Sequence, residues 1–392
     1  MLFSRFNYRI SLYLFIATIS SFLISLFLLQ LFAGLLVLVY LMEPVKSKKL
    51  VFDNIFYLFF AFVLIRILAA LLSEYPGSSN QVFYKDALFF LSFFAFAFYL
   101  KTFNGKNIKT VSDFFVLAGI VVAIIGLTLF MLNKVSRAES FTSGYSTFSS
   151  YLLVVFSFGI IVFKNLSREN VKTLMAVGLA LILAGIITSM GRTNIAIAAV
   201  IFIAGIFIAK IRIKYILIIV ILTSAISWTA FNINYTEVNL RIKQPAALSD
   251  RDILLNAAEE LFFEFEHPLL GYGPRTFNDV FTYREQLTDK GAGSWHNDFI
   301  QVYFESGMLG LLSFLLIIFY PISAALIFIR KKKVKGSNLY LLCGAVLGEF
   351  ALVLSALTAG FVNSPVLSVL FAFLIAYISA IVFPVDRKEL SK

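Results

Sequence analysis

Ser294-Trp295-His296-Asn297-Asp298-Phe299-Ile300-Gln301-Val302-Tyr303-Phe304-Glu305-Ser306-Gly307-Met308-Leu309-Gly310 joins a long polar stretch to an apolar run that begins near Gly307. At helical spacing His296, Ile300, Tyr303, Phe304 and Gly307 share one face, while Asp298, Gln301 and Glu305 point elsewhere. The stretch predicts an amphipathic helix on a membrane surface that continues into a span, with one of the chain's two histidines at its start.

Composition agrees with a membrane reading. Of 392 residues 60% are hydrophobic and only 14% charged, with a mean hydropathy of +0.90, far outside the soluble range. The net charge of +11 sits in short loops between apolar runs, which is how topology is encoded, so no nucleic-acid role follows. The single cysteine, Cys343, lies in an apolar run and allows neither an intrachain disulfide nor a thiol metal site. Arg5 and Arg9 precede an apolar stretch that continues without a small-x-small cleavage site, which reads as a retained first helix.

A span needs about 20 mainly apolar residues. Residues 10–42 hold no charge and predict a hairpin turning near Gln30; further spans fall near 51–73, 86–100, 111–132, 147–163, 173–189, 193–209, 215–231, 307–329, 338–360 and 364–383. The expectation is an all-α polytopic membrane protein of about 12 transmembrane helices. Lysine and arginine orient it. Lys46, Lys48 and Lys49, then Lys164, Arg168 and Lys172, then Lys210, Arg212 and Lys214, then the run Arg330 to Lys335, and finally Arg387, Lys388 and Lys392 all fall on one side. The positive-inside rule makes that side, and both termini, cytoplasmic.

The chain divides into N-terminal spans over 1–231, a long extracytoplasmic loop over 232–306, and C-terminal spans with a tail over 307–392. In the loop, Ser249 or Asp250 can cap a helix to about Phe265, with Leu254, Ala257, Ala258, Leu261, Phe262 and Phe265 as its apolar stripe. His267-Pro268 stops that helix, with His267 as its cap. Gly271, Gly273 and Pro274 make a turn, and Gly291-Ala292-Gly293-Ser294 leads flexibly into His296.

His296-Asn297 followed by Gly307 and Gly310, preceded by Arg251 at a helix start and by His267-Pro268-Leu269-Leu270-Gly271-Tyr272-Gly273 with Phe277, resembles the bacterial O-antigen ligase and polymerase family. Ser189-Met190-Gly191-Arg192 is similar to that family's short arginine-bearing loop. The resemblance covers about the C-terminal half. It implies an integral membrane glycosyltransferase of the bacterial inner membrane that moves a glycan from undecaprenyl diphosphate to an acceptor on the outer face.

Arginine holds a diphosphate best, because its planar fork stays charged and bonds two oxygens. Arg192, in a short outside turn, and Arg251, at a helix start where the dipole favours an anion, are the first candidates, and Arg275 beside the glycine turn is the third. Arg192 also reads as an interface anchor, and Arg251 as the partner of a nearby acid. His296 fits a general base that takes the proton of an attacking sugar hydroxyl, with inversion at the anomeric carbon, and an interfacial helix-capping histidine is the bland alternative. Asn297 either orients the imidazole or acceptor or caps a helix. Asp250-Arg251-Asp252 reads as helix-start acids rather than a divalent-metal D-x-D, since the resembled family works without metal; no cofactor is expected. Trp295 stacks on sugar or sits at headgroup level. Arg66 and Glu349, both inside predicted spans, are candidate partners of a structural ion pair.

Three activities share these motifs: ligation to lipid A-core, favoured by the His-Asn spacing; polymerisation of repeat units; and protein O-glycosylation. A flippase or secondary transporter is the reading from another class, but it predicts repeated halves and broken midplane helices, and the halves here are dissimilar. The expected partners are therefore the lipid-linked donor, a glycan or lipid A-core acceptor, and membrane lipids.

Overall fold

The computed structural model describes residues 2–49, 52–243, 250–263, 266–287 and 293–384. Ser249 as a cap, Phe265 in the stripe, the Gly291-Ala292 lead and the tail cations Arg387, Lys388 and Lys392 lie outside them.

Among the described residues the chain is all helical. The helices are α1 (Leu2–Ser21), α2 (Leu26–Met42), α3 (Asn54–Leu71), α4 (Ala87–Thr102), α5 (Gly105–Met131), α6 (Tyr145–Val162), α7 (Glu169–Thr188), α8 (Arg192–Ala209), α9 (Ile213–Ile233), α10 (Tyr235–Lys243), α11 (Arg251–Phe263), α12 (Asp298–Arg330), α13 (Ser337–Ser355) and α14 (Leu367–Val382). Nine helical stretches among the described residues are long and apolar enough to cross a membrane, and α2 and α14 are apolar but shorter. The nine fall short of the expected 12, and α1, whose first half carries Ser4, Arg5, Asn7 and Arg9, is not one of them.

The helices begin where side chains can take up their first amides. Ser25 accepts from Leu28 N at 3.3 Å, Asp53 from Phe56 N at 2.9 Å and Asn104 from Asn107 N at 2.9 Å. The first hairpin turns before Ser25, with Leu23 left-handed at φ 56°. Gln30 is therefore inside α2 rather than at the turn: the Ser25 cap, not the long polar side chain, sets the break.

Two helices form the centre. Every residue of α14 is buried, and so is α6 from Phe148 onward, as expected of helices apolar on all sides. α6 packs on α13 and α14 on α4. Their few polar groups find each other: Ser150 and Ser355 hydroxyls lie 2.6 Å apart, as do those of Ser112 and Tyr377. By contrast α9 leaves Ile213, Leu217, Ile221 and Trp228 exposed, a face suited to lipid.

The loop has its own small core. Leu254, Ala257 and Ala258 of α11 pack with Phe277, Phe281, Leu287, Trp295 and Phe304, while Phe262 stays exposed against the Tyr303 ring. Trp295, only 4% exposed, has ring centroids of Phe277, Phe281 and Phe304 at 5.1, 5.7 and 5.0 Å. Its indole is packed inside this core rather than laid open on the surface. His267 Nε2 lies 3.4 Å from Glu74 Oε1; its expected role as the cap of α11 turns on residues 264–265, outside the described residues.

Candidate functional site

The helix expected to run unbroken from His296 into the membrane starts later and breaks once. Asn297 is its N-cap, with Oδ1 accepting from Phe299 N at 2.9 Å and Ile300 N at 3.3 Å. His296 stands outside the helix in a left-handed conformation, φ 50°. Within α12, Gly307 adopts φ 63° and ψ −164°, a region open essentially to glycine alone.

The break is a backbone exchange. In a regular helix Met308 N and Leu309 N would donate to Phe304 O and Glu305 O. Here Met308 N donates to Pro268 O at 2.8 Å and Leu309 N to Leu269 O at 3.3 Å, while Phe304 O accepts from Tyr272 N at 2.8 Å and Glu305 O from Gly273 N at 3.0 Å. The segment His267 to Gly273 thus inserts into the helix ladder and satisfies all four groups, a requirement that hardens near lipid. A Cβ on Gly307 would overlap the Leu269 carbonyl group.

The polar side chains ahead of the break point inward. Asp298, Gln301 and Glu305 are 1%, 2% and 1% exposed, the reverse of the solvent-facing side that helical spacing suggested. They turn inward because other segments supply donors. Asp298 accepts from Phe361 N at 2.6 Å and Val362 N at 3.3 Å, and its own amide donates to Ala356 O at 3.0 Å, which ties α12 to the α13–α14 connection. Glu305 Oε1 accepts from Arg275 N at 2.7 Å, Asn363 Nδ2 at 2.8 Å and Gln301 Nε2; Oε2 accepts from Arg66 Nη2 at 3.0 Å. Asp86 completes the cluster, taking Arg66 at 3.4 Å and the Arg275 guanidinium. Two guanidinium groups and two carboxylates balance formally, as a buried ion cluster must. Arg66 therefore pairs with Glu305 and Asp86 and not with Glu349, which is fully buried on α13 with neither carboxyl oxygen hydrogen-bonded among the described residues.

Above this cluster lies an open cavity of about 410 Å³, lined among others by Lys85, Arg275, His296, Asn363, Ser146 and Thr147. The last two open α6. Just before them Glu139 accepts from the Tyr145 amide, and burial raises its carboxyl above the usual carboxylate range. Arg275, also left-handed at φ 64°, is anchored through its amide on Glu305 and its guanidinium on Asp86, and its Nε is buried without a hydrogen-bond partner among the described residues. His296 follows the buried Trp295, whose amide donates to Gln301 Oε1 at 2.9 Å. One side chain is locked in the loop core and the next is presented to the cavity.

Of the five residues singled out in the sequence, His296 and Arg275 share this cavity, and Asn297 caps α12 directly after His296. Arg251 is exposed and donates to Thr358 O at 2.9 Å, two residues before the cavity-lining Gly360. Arg192 is the first residue of α8, exposed and outside the lining. Sequence reasoning passed over Lys85, Asp86, Glu305 and Asn363. The usable signal was the cost of charge near lipid, which marked Arg66 but could not name its partners.

A bundle of apolar helices with a buried ion cluster beneath a polar, cationic cavity fits a multi-pass membrane protein with a candidate site at one end. Residues 177–315 match the family model described as O-antigen ligase, and this match supports the O-antigen ligase and polymerase family. The matched region runs from α7 through the break in α12, so it contains Arg192, Arg251, Arg275, His296, Glu305 and Gly307; Arg66, Asp86 and Asn363 lie outside it. No curated protein matches the chain.

Proposed function

We propose that the chain is a membrane glycosyltransferase that moves a glycan from undecaprenyl diphosphate to an acceptor, with ligation to lipid A-core the favoured activity, on the outer face of the cytoplasmic membrane. The observation that carries this reading is the cavity shared by His296 and Arg275, both within the region similar to the O-antigen ligase family, with Lys85 from outside that region.

In this scheme the acceptor hydroxyl attacks the anomeric carbon while His296 takes its proton; the bond from that carbon to the diphosphate oxygen breaks, and the oxygen leaves with the electron pair. A sugar hydroxyl is too weak an acid to ionise first, so proton transfer accompanies attack. Single displacement inverts the anomeric centre. Charge gathering on the departing diphosphate is met by Arg275 and Lys85, with Arg251 and Arg192 as further cations outside the cavity lining. The buried Asp86 and Glu305 keep Arg275 from swinging away, so the cation is in place before the charge develops. The scheme calls on neither metal nor cofactor. Purified protein given carrier-linked glycan and acceptor tests it: transferred glycan with free carrier diphosphate supports a transferase, and movement of intact donor between leaflets without product supports the flippase instead.

A further inference from the structure

At the end of the bundle away from His296, a second cavity of about 290 Å³ opens between the end of α4, the start of α5, the α12–α13 connection and the end of α14. Lys101, Lys333, Lys335 and Asn338 supply its polar side, and Leu100, Ile108, Phe328 and Ile381 its apolar side. Lys101 is buried and spent on Asp53, at 2.6 Å. Lys333 and Lys335 are exposed, and no acidic side chain pairs with either among the described residues. Asp53 is taken up by Lys101, Ser379 and the Phe56 amide, and Asp113 pairs with Lys109.

We propose that this cavity binds the phosphate headgroup of an anionic phospholipid. Two unpaired ammonium groups and the Asn338 amide meet the phosphate oxygens, and the apolar wall receives the start of an acyl chain, which then runs along the exposed Leu326 and Ile327 of α12. The size fits a headgroup rather than a whole lipid, being at the lower edge of the roughly 300–1,000 Å³ typical of small-molecule pockets. Basic pockets between helix ends are a recognised setting for such headgroups. The apolar wall is what favours a lipid over a free phosphate, since a soluble ion would gain nothing from Phe328 or Ile381.

Native mass spectrometry of the full chain, released from detergent with phosphatidylglycerol or with zwitterionic phosphatidylcholine, tests the site. The wild type should retain phosphatidylglycerol at least about tenfold better than phosphatidylcholine, in line with the favourable energy of a few basic residues at an anionic lipid surface. Lys333→Gln with Lys335→Gln should abolish that preference, while Lys46→Gln with Lys49→Gln, on a different loop of the same side, should keep it; unchanged melting temperatures confirm that all variants are folded. Equal retention of the two lipids, or retention that survives loss of Lys333 and Lys335, overturns the proposal. Competition by millimolar inorganic phosphate as effective as that by the lipid overturns the choice of a lipid.

Discussion

Arg66 on α3 and Glu305 on α12 meet at 3.0 Å with both side chains out of contact with solvent, 0% and 1% exposed. This pair joins the second half of the chain to the first at the floor of the cavity. Two ions there are stable only together, because each alone would keep its desolvation cost without its partner. Glu305→Gln should therefore destabilise the protein by about 3–5 kcal/mol, the usual result of removing one partner of a buried pair, read as a large fall in melting temperature in detergent. Arg66→Met combined with Glu305→Gln should recover part of the loss. A melting temperature unchanged in Glu305→Gln would show that the pair contributes nothing.

Gly307 is expected to tolerate no side chain. At φ 63° and ψ −164° an alanine is strained, and its Cβ would collide with the inserted Leu269 backbone. Gly307→Ala should give little folded protein or markedly lower transfer, whereas Gly34→Ala, in the regular α2 with open space around it, should express normally. Normal yield and turnover of Gly307→Ala would refute the role given to the backbone exchange.

How much of this was legible in the sequence depends on the range of the interaction. Apolar runs of the right length located most spans, because burying about 20 apolar residues is a local property. The Asn297 cap and the α11 stripe of Leu254, Ala257 and Ala258 were equally local. Where distant segments decide, the sequence misled: the face carrying Asp298, Gln301 and Glu305 looked solvent-bound, and only the amides of Phe361 and Val362 and the side chains of Arg66 and Asn363 make its burial possible. Arg66 announced that it needed a partner, yet Glu349, an equally improbable charge in a span, was the wrong one. Gly307 was visible as a motif residue; the ladder exchange with His267 to Gly273 was not, since nothing in the pattern records which backbone groups are displaced.

Arg275 and Lys85 line the cavity with His296, whereas Arg192 and Arg251 do not. Arg275→Lys, which keeps the charge but loses the fork, should lower donor use by about 10–100-fold, the size of one or two charge-assisted hydrogen bonds. Arg192→Lys and Arg251→Lys should have smaller effects. Donor kinetics that are normal in Arg275→Lys but impaired in Arg192→Lys would move the diphosphate away from this cavity.

The orientation is tested by labelling. In a Cys343→Ser background, Ser294→Cys beside the cavity should react with a membrane-impermeant thiol reagent in intact spheroplasts, and Asn338→Cys only after permeabilisation. The opposite pattern would invert the topology that the lysine distribution supports.

The most direct measurement is the rate of glycan transfer by purified His296→Ala, with donor binding followed in parallel. A general base is worth about 10²–10⁴-fold, so transfer should fall by that much while the donor still binds. Wild-type activity should rise with pH as the imidazole loses its proton, and a chelator should leave it unchanged. Turnover of His296→Ala at the wild-type rate, or wild-type activity that falls as the imidazole deprotonates, would contradict the assignment of His296 as the base.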